Sequence, residues 1–244
     1  MSGARTAGPH FFLAPADLDG DRAVLRGDEA RHLAVVLRAR PGDPVSLADG
    51  AGVVCQARVE RAGDEVILRI VERFVEDAPS PLLTVVHALP KGRKLDEVVQ
   101  RLTELGVDRI VPVHSRRSQV RLDGSRAARA VERWRAVALA AAKQSRRARL
   151  PEVAAVGEWA TAFAHGTGGV VLWEEATTPL SVALGEPASA GTVVLGVGPE
   201  GGLTAGEVEA TGLPAASLGP TVLRTETAAL VAATVVLHRL GRVG

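Results

Sequence analysis

Two uninterrupted apolar runs, "GVVLWEEA" (169–176) and "TVVLGVG" (192–198), constrain this chain more than any other feature. A strand with one face in water alternates apolar and polar residues, whereas a strand without alternation must be covered on both faces. Helical and extended segments alternate around these runs. "LLTVVHAL" (82–89) and "RIVPVH" (109–114) read as strands, and "KLDEVVQRLTELGV" (94–107) as an amphipathic helix ending at Gly106. "SRAARAVERWRAVALAAAKQSRRA" (125–148) reads as a long helix. A short helix from Thr204, a strand "AASLG" (215–219) and a terminal helix "TETAALVAATVVLHRLG" (225–241) follow. This order predicts an α/β domain with a mainly parallel sheet.

The first third differs. "HFFLA", "RAVLRG", "PVSLADG", "VVCQARVE" and "EVILRIVERFVE" are short, often alternating runs divided by Asp/Gly turns. One helix interrupts them, "DEARHLAVVLRAR" (28–40), with Leu33, Val36 and Leu37 at helical spacing. These elements predict a small barrel over 1–78. The two prolines of "EDAPSP" (76–81) mark the boundary to a second domain, 79–244.

Composition narrows the function classes. A chain of 244 residues with 46% hydrophobic content can bury a large core. No apolar stretch is long enough to span a membrane. The first twenty residues do not read as a signal peptide, and the single Cys55 gives neither disulfide nor metal cluster. The six His show no metal-ligand spacing, so no metal is expected, and a soluble cytoplasmic protein is the simplest reading. Net charge is only +1, yet residues 91–150 carry 16 basic against 6 acidic side chains. Such a block points to a polyanion or to a solvated helix face. With no Tyr and four Phe, an aromatic stacking platform is not expected.

"GVGPEGGLT" (196–204) has the Gly-x-Gly-x-x-Gly spacing of a dinucleotide-binding turn, but three features disagree. It lies in the last fifth of the chain, no acid stands about 20 residues on, and Glu200 inside the loop would repel a pyrophosphate. The glycines still mark either a tight turn or close approach to a ligand. Thr204 and Glu207 form a capping box that accounts for the next helix without any ligand. In "SLGPTVLRTETAAL" (217–230), Arg224 stands at a helix N-terminus, where the macrodipole favours anions. It is therefore paired with an acid or kept for a ligand.

Together these blocks resemble the RsmE family of ribosomal RNA methyltransferases, of the SPOUT class. The resemblance rests on "RHLAVVLRARPGD" (31–43), "ALPKGRKLDEVVQRLTELGVDRIVPV" (88–113), "RSQVR" (117–121), "RW" (133–134), "AAKQSRRARLPEV" (141–153), "GVGPEGGLTAGEVE" (196–209) and "LGPTVLRTETAAL" (218–230). It implies an N-terminal PUA-like β-barrel for RNA binding and a C-terminal domain with a trefoil knot around 170–235. It also implies a homodimer through that domain. The implied activity is S-adenosyl-L-methionine-dependent methylation of uridine N3 in small-subunit (16S) ribosomal RNA, in an assembled 30S subunit. A sulfonium donor carries no phosphate, so Glu200 is tolerable in its loop.

The resemblance places the cofactor on Leu172, Trp173 and Glu174, on Gly196, Gly198, Glu200 and Gly201, and on Leu218, Gly219, Leu223, Arg224 and Thr227. Arg224 is the expected electrostatic group for the developing uracil anion, with Glu200 or Glu226 as proton acceptor. Expected RNA contacts are Arg31, His32 and Arg38, then Lys91, Arg93 and Lys94, then Arg116, Arg117 and Arg121, and finally Lys143, Gln144, Arg146 and Arg147. The target uridine must be unpaired or flipped. Three alternatives stay open: a SPOUT enzyme with another base or transfer RNA as target, a non-catalytic RNA-binding ribosome assembly factor, and a nucleotide-using enzyme.

Overall fold

The computed structural model describes residues 8–14, 17–164, 166–186 and 190–244. The leader reading at the N-terminus falls partly outside them. Contacts divide the chain into two units: residues up to Ala78 together with Ala142–Leu150, and Pro79–Ala141 together with Pro151–Gly244.

The first unit holds β1 (His10–Phe12), β2 (Leu18–Asp19), β3 (Arg22–Leu25), α1 (Gly27–Arg31), β4 (Pro44–Ala48), β5 (Val53–Arg61) and β6 (Val66–Val75). They form one six-stranded sheet in the order β1-β4-β5-β6-β3-β2, antiparallel except for β1 on β4. Phe11, Leu25, Leu33, Leu47 and Leu68 fill its core. The expected barrel is thus a sheet whose end strands share no ladder among the described residues.

After α1 the backbone widens into a turn in which Leu37 N–H bonds the His32 carbonyl, five residues back, at 2.9 Å. The extra residue rotates the next positions out of helical phase. Leu33 stays in the core, but Val36 and Leu37, expected beside it, are 63% and 44% exposed.

Residues 142–150 complete this unit. His10 Nε2 donates to the Arg147 carbonyl (3.1 Å), so its Nδ1 accepts from the Ser46 hydroxyl (2.8 Å). Leu150 N–H bonds the Gly50 carbonyl at 3.0 Å.

The second unit begins with β7 (Leu82–Ala88), α2 (Lys94–Leu105), β8 (Arg109–His114) and α3 (Gly124–Gln144), whose end reaches the 142–150 segment. Two strands that carry no sequence signal, β9 (Glu152–Val153) and β10 (Gly157–Glu158), pair along β8. Then come β11 (Gly168–Leu172), α4 (Leu180–Ala183), β12 (Thr192–Val197), α5 (Ala205–Glu209), β13 (Ala215–Ala216) and α6 (Thr225–Arg239). The sheet runs β10-β8-β7-β12-β11-β13, and its pairings are parallel throughout.

As the apolar runs required, Val170, Val171, Val193, Val194 and Leu195 are almost fully buried. Gly106 ends α2 at φ +100°, a left-handed cap available to glycine. In α6, Ala229, Ala232 and Ala233 are fully buried, and their small side chains let this helix pack closely on α2. Val231 on the other side is 38% exposed, so one face of α6 is open.

Candidate active site

Parallel pairing puts the carboxyl ends of β11, β12 and β13 side by side, and the loops leaving them meet there, as ligand sites in open parallel sheets generally do. The cleft between them has a volume of about 520 Å³, within the usual range for small ligands. Leu172, Trp173 and Glu174 line it from the first loop, Gly198, Glu200 and Gly201 from the second, and Leu218, Gly219, Leu223 and Arg224 from the third.

Two expected residues lie elsewhere. Gly196 is a packing glycine within β12, where a Cβ would come within 3.0 Å of both Phe163 and Val171. Thr227 is one turn into α6 and outside the lining, while Thr225 and Ala228 are in it. Sequence reading also missed Gly202 and Ser217. Gly202 sits at φ +71°, and a Cβ there would overlap the Glu174 carboxylate.

The glycine loop is held from several sides. Its Gly202 N–H bonds Pro199 O at 2.9 Å, and the Thr225 hydroxyl donates to Gly198 O at 2.6 Å. Arg117 Nη1 donates to the carbonyls of Gly201 (3.0 Å) and Leu203 (3.4 Å). The capping box forms as expected, and Glu207 also accepts the Arg116 backbone N–H at 2.7 Å. Beneath the loop His87 is fully buried, its Nδ1 donating to Ala88 O at 2.7 Å. Burial pushes the His87 pKa down, against the opposing backbone hydrogen bonds, so the ring is neutral.

Glu200 does not stand free in the cleft. Lys94 Nζ donates to its Oε1 at 2.8 Å, and the Lys91 backbone N–H reaches both carboxylate oxygens at 3.2 and 3.3 Å. Burial alone would raise the Glu200 pKa, but these bonds outweigh it and hold the carboxyl below its ordinary value. The Glu200 hydrogen bond holds Lys94 above its own. A carboxylate bonded in this way to an ammonium is a weaker proton acceptor than a free one.

Glu226, the other candidate, approaches Lys94 at 3.8 Å and not Arg224, and its buried Oε2 has no hydrogen-bond partner among the described residues. Arg224 is exposed at the N-cap of α6, makes no capping bond, and has no carboxylate partner among the described residues. Trp173 Nε1 is likewise a buried donor without a partner among the described residues.

The expected RNA-contacting residues fall into two groups. Arg31, His32, Arg38, Lys143, Gln144, Arg146 and Arg147 belong to the first unit, and Lys91, Arg93, Lys94, Arg116, Arg117 and Arg121 to the second. Several are engaged within the protein. Lys94 and Arg117 brace the site loops, Lys143 is ion-paired with Glu29, and Arg121 stands 4.0 Å from Glu158. Arg31, His32, Arg38, Gln144 and Arg146 are exposed, with Arg38 and Arg146 at φ +52° and +56°.

Residues 77–237 match the family model of an RNA methyltransferase domain, and residues 25–71 that of an RNA methyltransferase PUA domain. Fold and site thus define an RNA methyltransferase with a PUA-like N-terminal domain. Ribosomal RNA small subunit methyltransferase E of Mycobacterium tuberculosis is 40% identical over 234 residues, 91% of this chain and 88% of the relative. Its Bacillus subtilis counterpart is 31% identical over 229 residues, 88% of this chain and 89% of the relative. The crystal structure of the same enzyme from Neisseria gonorrhoeae, bound to S-adenosyl methionine, superposes with a TM-score of 0.80 at 33% identity, covering 94% of this chain and 96% of that one. This chain belongs to the ribosomal RNA small subunit methyltransferase E family.

Proposed function

We propose that this protein transfers a methyl group from S-adenosyl-L-methionine to N3 of a uridine in 16S ribosomal RNA. The observation that carries the reading is the glycine-lined cleft at the ends of β11, β12 and β13, whose one unpaired cation among the described residues is Arg224 at the rim. Lys94, the cation beneath the glycine loop, is neutralised by Glu200 and Glu226. Such a cleft offers a phosphate no buried anchor, and it suits a cationic donor.

When bound, the donor supplies an electrophilic methyl on a sulfonium. Leu172, Leu218 and Leu223 give the apolar walls, and the backbone at Gly198, Gly201 and Gly219 allows close approach. Uracil N3 must give up its proton, to water, before or during attack, and Arg224 stabilises the resulting negative charge from the rim. Glu200 and Glu226 act through Lys94, which they hold between the glycine loop and the start of α6. In-line displacement then depends chiefly on positioning, which those anchored loops provide.

The proposal extends to the rest of the assembly. Residues 1–78, which 142–150 complete, are the PUA-like RNA-binding domain, and the rest of 79–244 is the methyltransferase domain, with the SPOUT trefoil knot in its C-terminal part. The placement of β11 between β12 and β13, with α6 following the loop that leaves β13, supports that topology. The enzyme works in the cytoplasm on the assembled 30S subunit as a homodimer through the open face of α6, where Val231 is exposed beside half-buried Leu230 and Val235. Mass spectrometry of ribosomal RNA from a deletion strain tests the activity: one uridine should lack its methyl group and regain it with purified protein. An unchanged modification pattern rejects the reading.

A further inference from the structure

Asp96, in the first turn of α2, accepts hydrogen bonds from three donors. Arg93 Nε lies 2.9 Å from its Oδ2, and Arg133 Nε and Trp134 Nε1, both on α3, lie 3.0 Å from its Oδ1. One carboxylate therefore faces two guanidinium groups, leaving a net positive charge. A clasp between the helices does not need this: the Trp134 indole alone ties α3 to Asp96. Each arginine hydrogen-bonds to the protein only through its Nε: the Arg133 guanidinium also lies 5.8 Å from the centroid of the Trp134 ring, and the Nη groups of both have no hydrogen-bond partner among the described residues. The Asp96 side chain is 16% exposed, against 78% for Arg93 and 41% for Arg133, so the anchor is inside and the free forks are outside.

A second observation lies one turn away. Arg129 precedes Arg133 by four residues on α3, is exposed, and has no acidic partner among the described residues. Like charges at that spacing destabilise a helix.

We propose that Arg93, Arg133 and Arg129 form a binding site for backbone phosphate of the RNA substrate, with Asp96 as the residue that positions the first two. The guanidinium fork matches a phosphate with two parallel hydrogen bonds, and a fork already fixed at Nε loses less freedom when it binds. A phosphate also relieves the repulsion between Arg129 and Arg133. This site rests on the RNA-modifying reading and names residues that carry the nucleic acid. Of the three, only Arg93 is among the RNA contacts expected from the sequence.

The test is binding of poly(U) to the full-length protein over a range of salt concentrations. Removing one phosphate-binding side chain should flatten the logarithmic salt slope by about 0.7 for a single strand. The Arg93→Gln/Arg133→Gln double variant should therefore flatten it by about 1.4 and Arg129→Gln by about 0.7. Arg126→Gln removes the same charge from the same helix, but its side chain is paired with Asp123 at 3.0 Å, and it should leave the slope unchanged. Equal slopes in the double variant and the unaltered protein overturn the proposal, as does an Arg126→Gln effect as large as that of Arg129→Gln. If the double variant does not fold, Arg129→Gln decides alone, since that side chain has no acidic partner among the described residues to lose. Calorimetry with S-adenosylhomocysteine on the unaltered protein reads the methyltransferase assignment separately, and all variants should keep that affinity.

Discussion

The ammonium of Lys94 stands 2.8 Å from Oε1 of Glu200, a residue 106 positions further along the chain. This bond fastens the glycine loop after β12 to the first turn of α2. The two side chains then act as one unit, and breaking it from either end should have the same result. Lys94→Met and Glu200→Gln should each weaken S-adenosylhomocysteine binding several-fold, and the double variant should be no worse than the more damaged single. Additive losses, as for independent sites, would contradict the coupling.

Arg224 reaches the rim without a carboxylate partner among the described residues, so removing it strands no buried charge. Arg224→Ala should lower the rate of methyl transfer by about 10²- to 10³-fold, the scale for losing one preorganised group at a developing anion. Calorimetric affinity for S-adenosylhomocysteine should be nearly unchanged. Near-normal turnover would remove Arg224 from the mechanism.

Gly202 combines a left-handed backbone with close approach to Glu174. The carboxylate is the end of an exposed side chain and can swing away, whereas the backbone cannot. Gly202→Ala should cost about 1–2 kcal/mol in urea unfolding, from the conformation itself. Adding Glu174→Ala should restore almost none of it. Full rescue would show that the clash, and not the φ angle, is what requires glycine.

Two buried imidazoles set an acid limit on stability. Burial depresses the pKa of both His10 and His87 below the ordinary 6.5. Each is neutral in the fold and takes up a proton more readily when unfolded. Its contribution is present above about pH 6.5 and is lost as pH falls below it, by up to about 1.4 kcal/mol per pH unit per group. The carboxyls of Glu200 and Glu207, held below their ordinary 4.5, lose their contribution only at lower pH. Urea midpoints should therefore fall between pH 7 and 5, and His87→Gln should flatten that dependence. A slope identical to that of the unaltered protein would exclude His87 as a source.

The features legible in the sequence were those written within a few residues. The runs at 169–172 and 192–197, the Gly106 cap and the Thr204–Glu207 box all formed as their patterns require. The three loops that line the cleft were legible for the same reason, because each follows a recognisable strand. Gly196 misled because a glycine that packs under Phe163 has the same letter as one that admits a ligand. The ion pairs of Lys94 escaped because its partners Glu200 and Glu226 lie more than a hundred residues away. The widened turn at 32–37 escaped because nothing in "HLAVVL" distinguishes a five-residue hydrogen bond from a four-residue one. β9 and β10 are two residues long, too short to show any period.

The first unit is assembled from two separate stretches, and protein synthesis is vectorial. When Ala78 leaves the ribosome, the carbonyl that His10 will bond and the Leu150 amide that Gly50 will accept do not yet exist. The intervening 79–141 takes several seconds to make at about 5–20 residues per second. Through that interval the nascent N-terminal sheet waits with its last pieces missing, and it can be completed only after α3 has been translated.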